Sequence, residues 1–148
     1  MKIDITKKEY LTLLEILEIV DWVLHAHHTE ERSETRRYRE IEQKIFSYAK
    51  DIGFENLVSY DSQLKRYFST RKFEDTSPGM DFVREFENDT FWDELVQRLV
   101  ERDLIRQVGE ERLLSMATHE RFEKEEPLEK RYADEFYNNE LENLTLRS

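Results

Sequence analysis

Four side chains near the start of the chain have the types and spacing to share one chemistry: Glu18, Asp21, His25 and His28. At about 100° per residue, a helix gathers them into one broad sector, with the two histidines one turn apart. Neutral imidazoles and carboxylates are ligands for divalent transition metals such as zinc, iron, manganese or nickel, and a helix backbone would fix their relative directions. Two histidines do not choose among these metals. The segment also lacks the His-Glu-x-x-His order that gives a metalloprotease helix its ligands and its base, so a second helix would have to add a carboxylate or histidine. A weaker pair, His119 and Glu123, is spaced four residues apart and joins such a site only if its helix crosses the first. The plainer reading of the first group is a polar face near the end of a helix, with His27 turned toward Val20, Val23 and Leu24 as a core-edge residue.

Arg32, Arg36, Arg37 and Arg39 form the strongest local basic cluster. Part of it has the spacing to grip phosphate or an acidic peptide, while Glu34, Glu40 and Glu42 are placed to neutralise it. Trp22, Trp92, Phe46, Phe68 and Phe91 have helical surroundings that favour core packing over a ligand pocket. The paired acids Glu30 and Glu31, Glu110 and Glu111, and Glu125 and Glu126 read as surface charge in so acidic a chain. There is no phosphate-binding glycine loop, dinucleotide fingerprint or zinc-finger pattern.

The elements that must position these residues are mostly helices. Thr6 and Glu9 have capping-box spacing ahead of a long apolar run, in which Leu13, Ile16, Leu17, Val20, Val23 and Leu24 make the densest side. Thr29 to Arg32 interrupt the run. A second helix begins near Ser33, carries Tyr38, Ile41, Ile45, Tyr48, Ala49 and Ile52, and stops at Gly53. Residues 54–72 read as one short helix, and Ser77-Pro78-Gly79 as a turn. Met80 to Phe86 read as another short helix. Asn88-Asp89-Thr90 then cap a helix burying Trp92, Leu95, Val96, Leu99, Val100 and Leu104, which ends at Gly109. Glu110 to Phe122 form a turn or helix, and Pro127 starts the last one. Alternation at Met1, Ile3 and Ile5 leaves room for a short strand, against which Leu141, Leu144 and Leu146 could lie.

The expected fold is therefore mainly α: a single domain over residues 1–148, built as a compact bundle of five or six unequal helices with room for short terminal strands. At 148 residues the chain is long enough to bury a core without disulfides, and it has no cysteine to make disulfides, thiolate zinc sites or a cysteine nucleophile. Charged residues are 39% of the chain and the formal net charge is -11, unevenly spread. Residues 1–75 hold 13 Lys or Arg against 15 Asp or Glu, whereas residues 76–148 hold 10 against 19. Such a chain repels phosphate backbones and anionic membranes, so nucleic acid is disfavoured, and it suits a cation or a basic protein partner. With no apolar run of spanning length and no secretory signal, the expected location is cytoplasmic. The composition points first to a protein-interaction or regulatory module, second to a metal-dependent enzyme or metal sensor built on the first-helix His/Asp cluster. The apolar breadth of the first helix adds the expectation of a homodimer.

Overall fold

The computed structural model describes residues 3–28, 30 and 32–145. Its helices are α1 (Lys7–His25), α2 (Arg36–Phe46), α3 (Ala49–Ile52), α4 (Arg71–Thr76), α5 (Gly79–Val108), α6 (Glu110–Leu114) and α7 (Thr118–Asn139). A 3-10 turn, Ser33–Thr35, leads into α2, and two strands, β1 (Val58–Asp61) and β2 (Arg66–Ser69), pair between α3 and α4. The mainly helical class with helices of unequal length is the one expected. The chain separates into two compact units, the first ending at Glu85 and the second beginning at Phe86.

In the first unit, α1 starts where the capping box places it. Thr6 Oγ1 accepts from the Glu9 amide at 3.3 Å, and the Glu9 carboxylate accepts from the Thr6 amide at 2.7 Å. The buried stripe of α1 is not the side expected. Tyr10 and Leu14 are fully buried and Leu11 and Leu17 partly so, whereas Ile16 and Val23 are exposed. The partners are few: α2, α3, the hairpin and α4 supply Phe46, Ala49, Leu57, Val58 and Phe73, enough to cover one stripe. Tyr10 stacks near-parallel on Phe54 and donates to the Ile45 carbonyl at 2.6 Å. Its removal from water pushes the phenol up to about 12.

The helix expected from Ser33 to Ile52 breaks at Ser47–Tyr48 into α2 and α3, and Gly53 ends α3 with φ 84°, in the left-handed conformation that favours glycine. Residues 54–72 correct the sequence reading most. They form an antiparallel hairpin, with Val58 opposite Ser69 and Asp61 opposite Arg66, followed by the short α4. Val-Ser-Tyr-Asp alternates as a pleated strand does, Arg-Tyr-Phe-Ser brings two β-favouring aromatics to its partner, and Asp61 sets the turn by accepting from the Gln63 and Leu64 amides at 2.8 and 2.9 Å. The strands are thus internal rather than terminal. Ile3–Ile5 form no strand; Met1 and Leu146 lie outside the described residues, as do Thr29 and Glu31 of the expected interruption.

In the second unit Val100, Leu104, Leu113 and Leu128 form the core, with Val96, Val108, Met116 and Tyr132 packed against them. Two boundaries differ from expectation. The helix expected to start at Thr90 is part of the continuous 30-residue α5, which passes through Asn88-Asp89-Thr90 unbroken. The last helix starts at Thr118, not Pro127, and keeps Pro127 inside it. Pairs one turn apart, Arg121 with Glu125 at 2.6 Å and His119 with Glu123 at 3.3 Å, support the earlier start. Pro127 lies at an exposed position, where the carbonyl it leaves unbonded can meet water. Gly109, with φ 83°, ends α5 as expected.

Candidate functional site

The polar sector of α1 opens onto a cavity of about 560 Å³ within the first unit. Glu18, Asp21 and Trp22 come from α1, and Arg39, Glu42 and Phe46 from α2. Tyr67, Phe68 and Ser69 of β2, Glu74 of α4, and Met80 and Arg84 at the start of α5 complete the wall. The lining thus holds four carboxylates against two guanidiniums, among four aromatic rings. The approach of α5 to α1 is close at Gly79, where an added Cβ would meet the Glu15 carbonyl oxygen at 3.2 Å and Ile19 Cγ1 at 3.3 Å.

Asp21 and His25, one turn apart, are joined at 2.8 Å through Nδ1. His25 Nε2 lies 3.0 Å from Oγ1 of the buried Thr35, whose hydroxyl hydrogen goes to the Arg32 carbonyl. Thr35 has only that one hydrogen to give, so its oxygen accepts and His25 carries a proton on Nε2. Arg39 closes the network, 3.2 Å from His25 Nδ1, 3.4 Å from Asp21 and 3.8 Å from Glu42. Both nitrogens of His25 are engaged. His28 is turned elsewhere and accepts from Arg32 at 3.1 Å. His27 is exposed, not at a core edge. Glu18 and Asp21 therefore share the cavity, His25 sits beside it on Asp21, and His28 belongs to a separate exposed pair. His119 and Glu123 form their own exposed pair in the second unit. Among the described residues, no three His, Asp or Glu side chains are grouped to hold a metal ion.

Two carboxyls at the cavity are held above their ordinary values. Burial raises Glu18; the Ser77 hydroxyl offsets part of this, while the charges of Glu74 and Glu15 add to it. Neither Glu18 oxygen has a well-formed hydrogen bond, although both are shielded from solvent. Burial also raises Glu42, with repulsion from Asp21, against the pull of Gln43, Arg39 and Arg66.

The basic cluster does not converge. Arg32 serves His28, Arg37 bonds the Tyr38 hydroxyl at 2.8 Å and lies over its ring, and Arg39 joins the Asp21 network. Arg36 lines a separate open depression with Arg39, Glu40, Gln43 and Arg66. Trp22, Phe46 and Phe68, read from sequence as packing residues, are cavity walls, and Phe46 is also buried core. Glu42, read from sequence only as a neutraliser of the arginines, and Tyr67 were not recognised as cavity residues. The signal for Glu42 was its three-residue spacing from Arg39; Tyr67 becomes legible only once the hairpin is recognised.

No family model, curated protein or solved structure matches the chain. Among the described residues, no helix is long and apolar enough to cross a membrane.

Proposed function

We propose that the chain is a protein-interaction module that receives a basic segment of a partner in the cavity of its first unit. One observation carries this reading: an opening of about 560 Å³ whose wall combines Glu18, Asp21, Glu42 and Glu74 with the rings of Trp22, Phe46, Tyr67 and Phe68. Carboxylates supply attraction for a cation, and aromatic faces accept both its charge and its apolar stem. The net charge of -11 adds long-range attraction for a basic partner.

The test is a titration of the full chain with a basic decapeptide and its acidic counterpart, followed by tryptophan fluorescence. A Trp22→Phe variant assigns the signal to the cavity. Preferential binding of the basic peptide, weakened by salt and by Glu74→Gln, is the expected result. Equal binding of the two peptides, or binding indifferent to Glu74, would reject the reading.

A further inference from the structure

Resting on that docking role, we infer that the partner's anchoring group is an arginine side chain, its guanidinium taken by the Glu18 carboxylate and its plane laid against Trp22 and Phe68. The carboxylates of the cavity are not equivalent. Asp21 is committed to His25 and Arg39, and Glu42 to Gln43 and Arg39. Glu74 is exposed. Glu18 alone has both oxygens shielded from water without a well-formed hydrogen bond, the Ser77 hydroxyl being its one polar neighbour. Shielded carboxylate oxygens ordinarily accept hydrogen bonds, and leaving them empty is costly. An acceptor kept in this state at a cavity wall is matched by a ligand that brings donors.

The number and form of the donors point to guanidinium. Two under-satisfied oxygens on one carboxylate match the parallel N–H pair of an arginine fork, whereas an ammonium directs three donors as a tripod and is more strongly hydrated. Trp22 and Phe68 line the same cavity and keep 41% and 36% of their surface exposed, leaving ring area for a planar cation to cover. The volume falls within the range of small-ligand pockets, roughly 300–1,000 Å³. Burial, with the charges of Glu74 and Glu15, holds the Glu18 carboxyl above its ordinary value against the pull of the Ser77 hydroxyl, as fits a carboxylate that lacks a cation beside it.

Two decapeptides of Gly and Ser, one carrying three arginines and the other three lysines, test the assignment against the full chain and its Glu18→Gln and Glu74→Gln variants. The arginine peptide is expected to bind about tenfold more tightly than the lysine peptide, a difference of about 1.4 kcal/mol. Glu18→Gln should erase that preference, while Glu74→Gln should weaken both peptides alike. Equal affinity for the two peptides, or a preference that survives in folded Glu18→Gln, overturns the arginine anchor and leaves the docking role standing. Failure of both peptides to bind better than an acidic control overturns the docking role and the anchor with it. Should Glu18→Gln not fold, the comparison of arginine with lysine on the parent chain decides.

Discussion

The side-chain amide of Gln43 pairs with the main chain of Tyr67 as a neighbouring strand would: Oε1 accepts from the Tyr67 amide at 2.7 Å, and Nε2 donates to its carbonyl at 2.8 Å. One side chain of α2 thus caps the open edge of β2 and fixes the strand that carries Tyr67, Phe68 and Ser69 into the cavity wall. A two-stranded hairpin has little stability of its own. Gln43→Ala should therefore cost about 1–3 kcal/mol and speed hydrogen exchange at the Tyr67 amide. Gln43→Glu, which keeps an acceptor but loses the donor, should be no milder. Denaturant unfolding with amide exchange checks both; an unchanged Tyr67 amide in Gln43→Ala would contradict the account.

Glu18 and Glu42 give the folded chain an unusual pH response. Both carboxyls titrate above the ordinary value of 4.5, so the folded chain holds protons that the unfolded chain has released. Stability should fall as pH rises from about the ordinary carboxylate value through the raised folded values, then level off. The groups facing Glu18 are Glu15, Glu74 and Ser77; those facing Glu42 are Asp21, Arg39, Gln43 and Arg66. Urea unfolding across pH 4 to 8 should show the decline, and the Glu18→Gln, Glu42→Gln double variant should flatten it. Glu9, Glu34 and Asp103 are shifted down and act on the acid side, where their contribution is lost as pH falls through their lowered values.

Asp103 is the centre of a polar network between α5 and α7. Its carboxylate accepts from the Tyr132 hydroxyl, from Arg131 at 2.9 Å and from Arg102 at 3.0 Å, and these partners, Tyr132 foremost, hold it below its ordinary value. Asp103→Asn should cost about 1–3 kcal/mol, because the neutral amide keeps one acceptor oxygen for three donors. Tyr132→Phe, which removes one donor to the carboxylate and one acceptor of Arg102, leaves the carboxylate its two arginine donors and should cost less. A reversed order in denaturant unfolding would mean that ring packing, not the carboxylate, dominates this contact.

Gly109→Ala should destabilise the turn between α5 and α6 by about 1–2 kcal/mol. The space around an added Cβ is empty, but φ 83° with ψ 153° is a backbone conformation essentially reserved for glycine. At Gly79 the obstacle is crowding against the α1 backbone at Glu15 rather than a positive φ. Thermal unfolding of the two variants measures both effects, and a neutral Gly109→Ala would mean that the turn relaxes.

Local signals in the sequence were legible wherever one or two residues decide the backbone. Thr6 with Glu9 marks the start of α1, and Gly53 and Gly109 mark two helix ends. Signals that tertiary context can override misled. Asn88-Asp89-Thr90 has cap chemistry, but no residue there leaves the helix; Pro127 suits a first turn, yet charge pairs carry the helix back to Thr118. The hairpin escaped because its register depends on Asp61 and on Gln43, a residue far away in sequence. For the candidate site, Glu18 and Asp21 were readable from helical spacing. The partner of His25 across the turn, Thr35, and the cavity wall from β2 were not, since neither is local to α1.

Helix α5 begins in the first unit and ends in the second, and every residue from Arg84 to Phe91 is exposed. Along these two turns the side chains give the backbone little shelter from solvent. Local opening there is expected to cost little, so limited proteolysis should cut at this seam first, and a first cut elsewhere would contradict that expectation. It also limits how the protein can be dissected. A fragment stopped at Glu85 keeps only seven residues of α5, too few for a stable helix on their own, although one of them, Val83, is buried in the whole chain. A usable first-unit fragment has to borrow helix from beyond the seam, and Asn88-Asp89-Thr90, overruled as a start signal in the whole chain, becomes the natural place to cut.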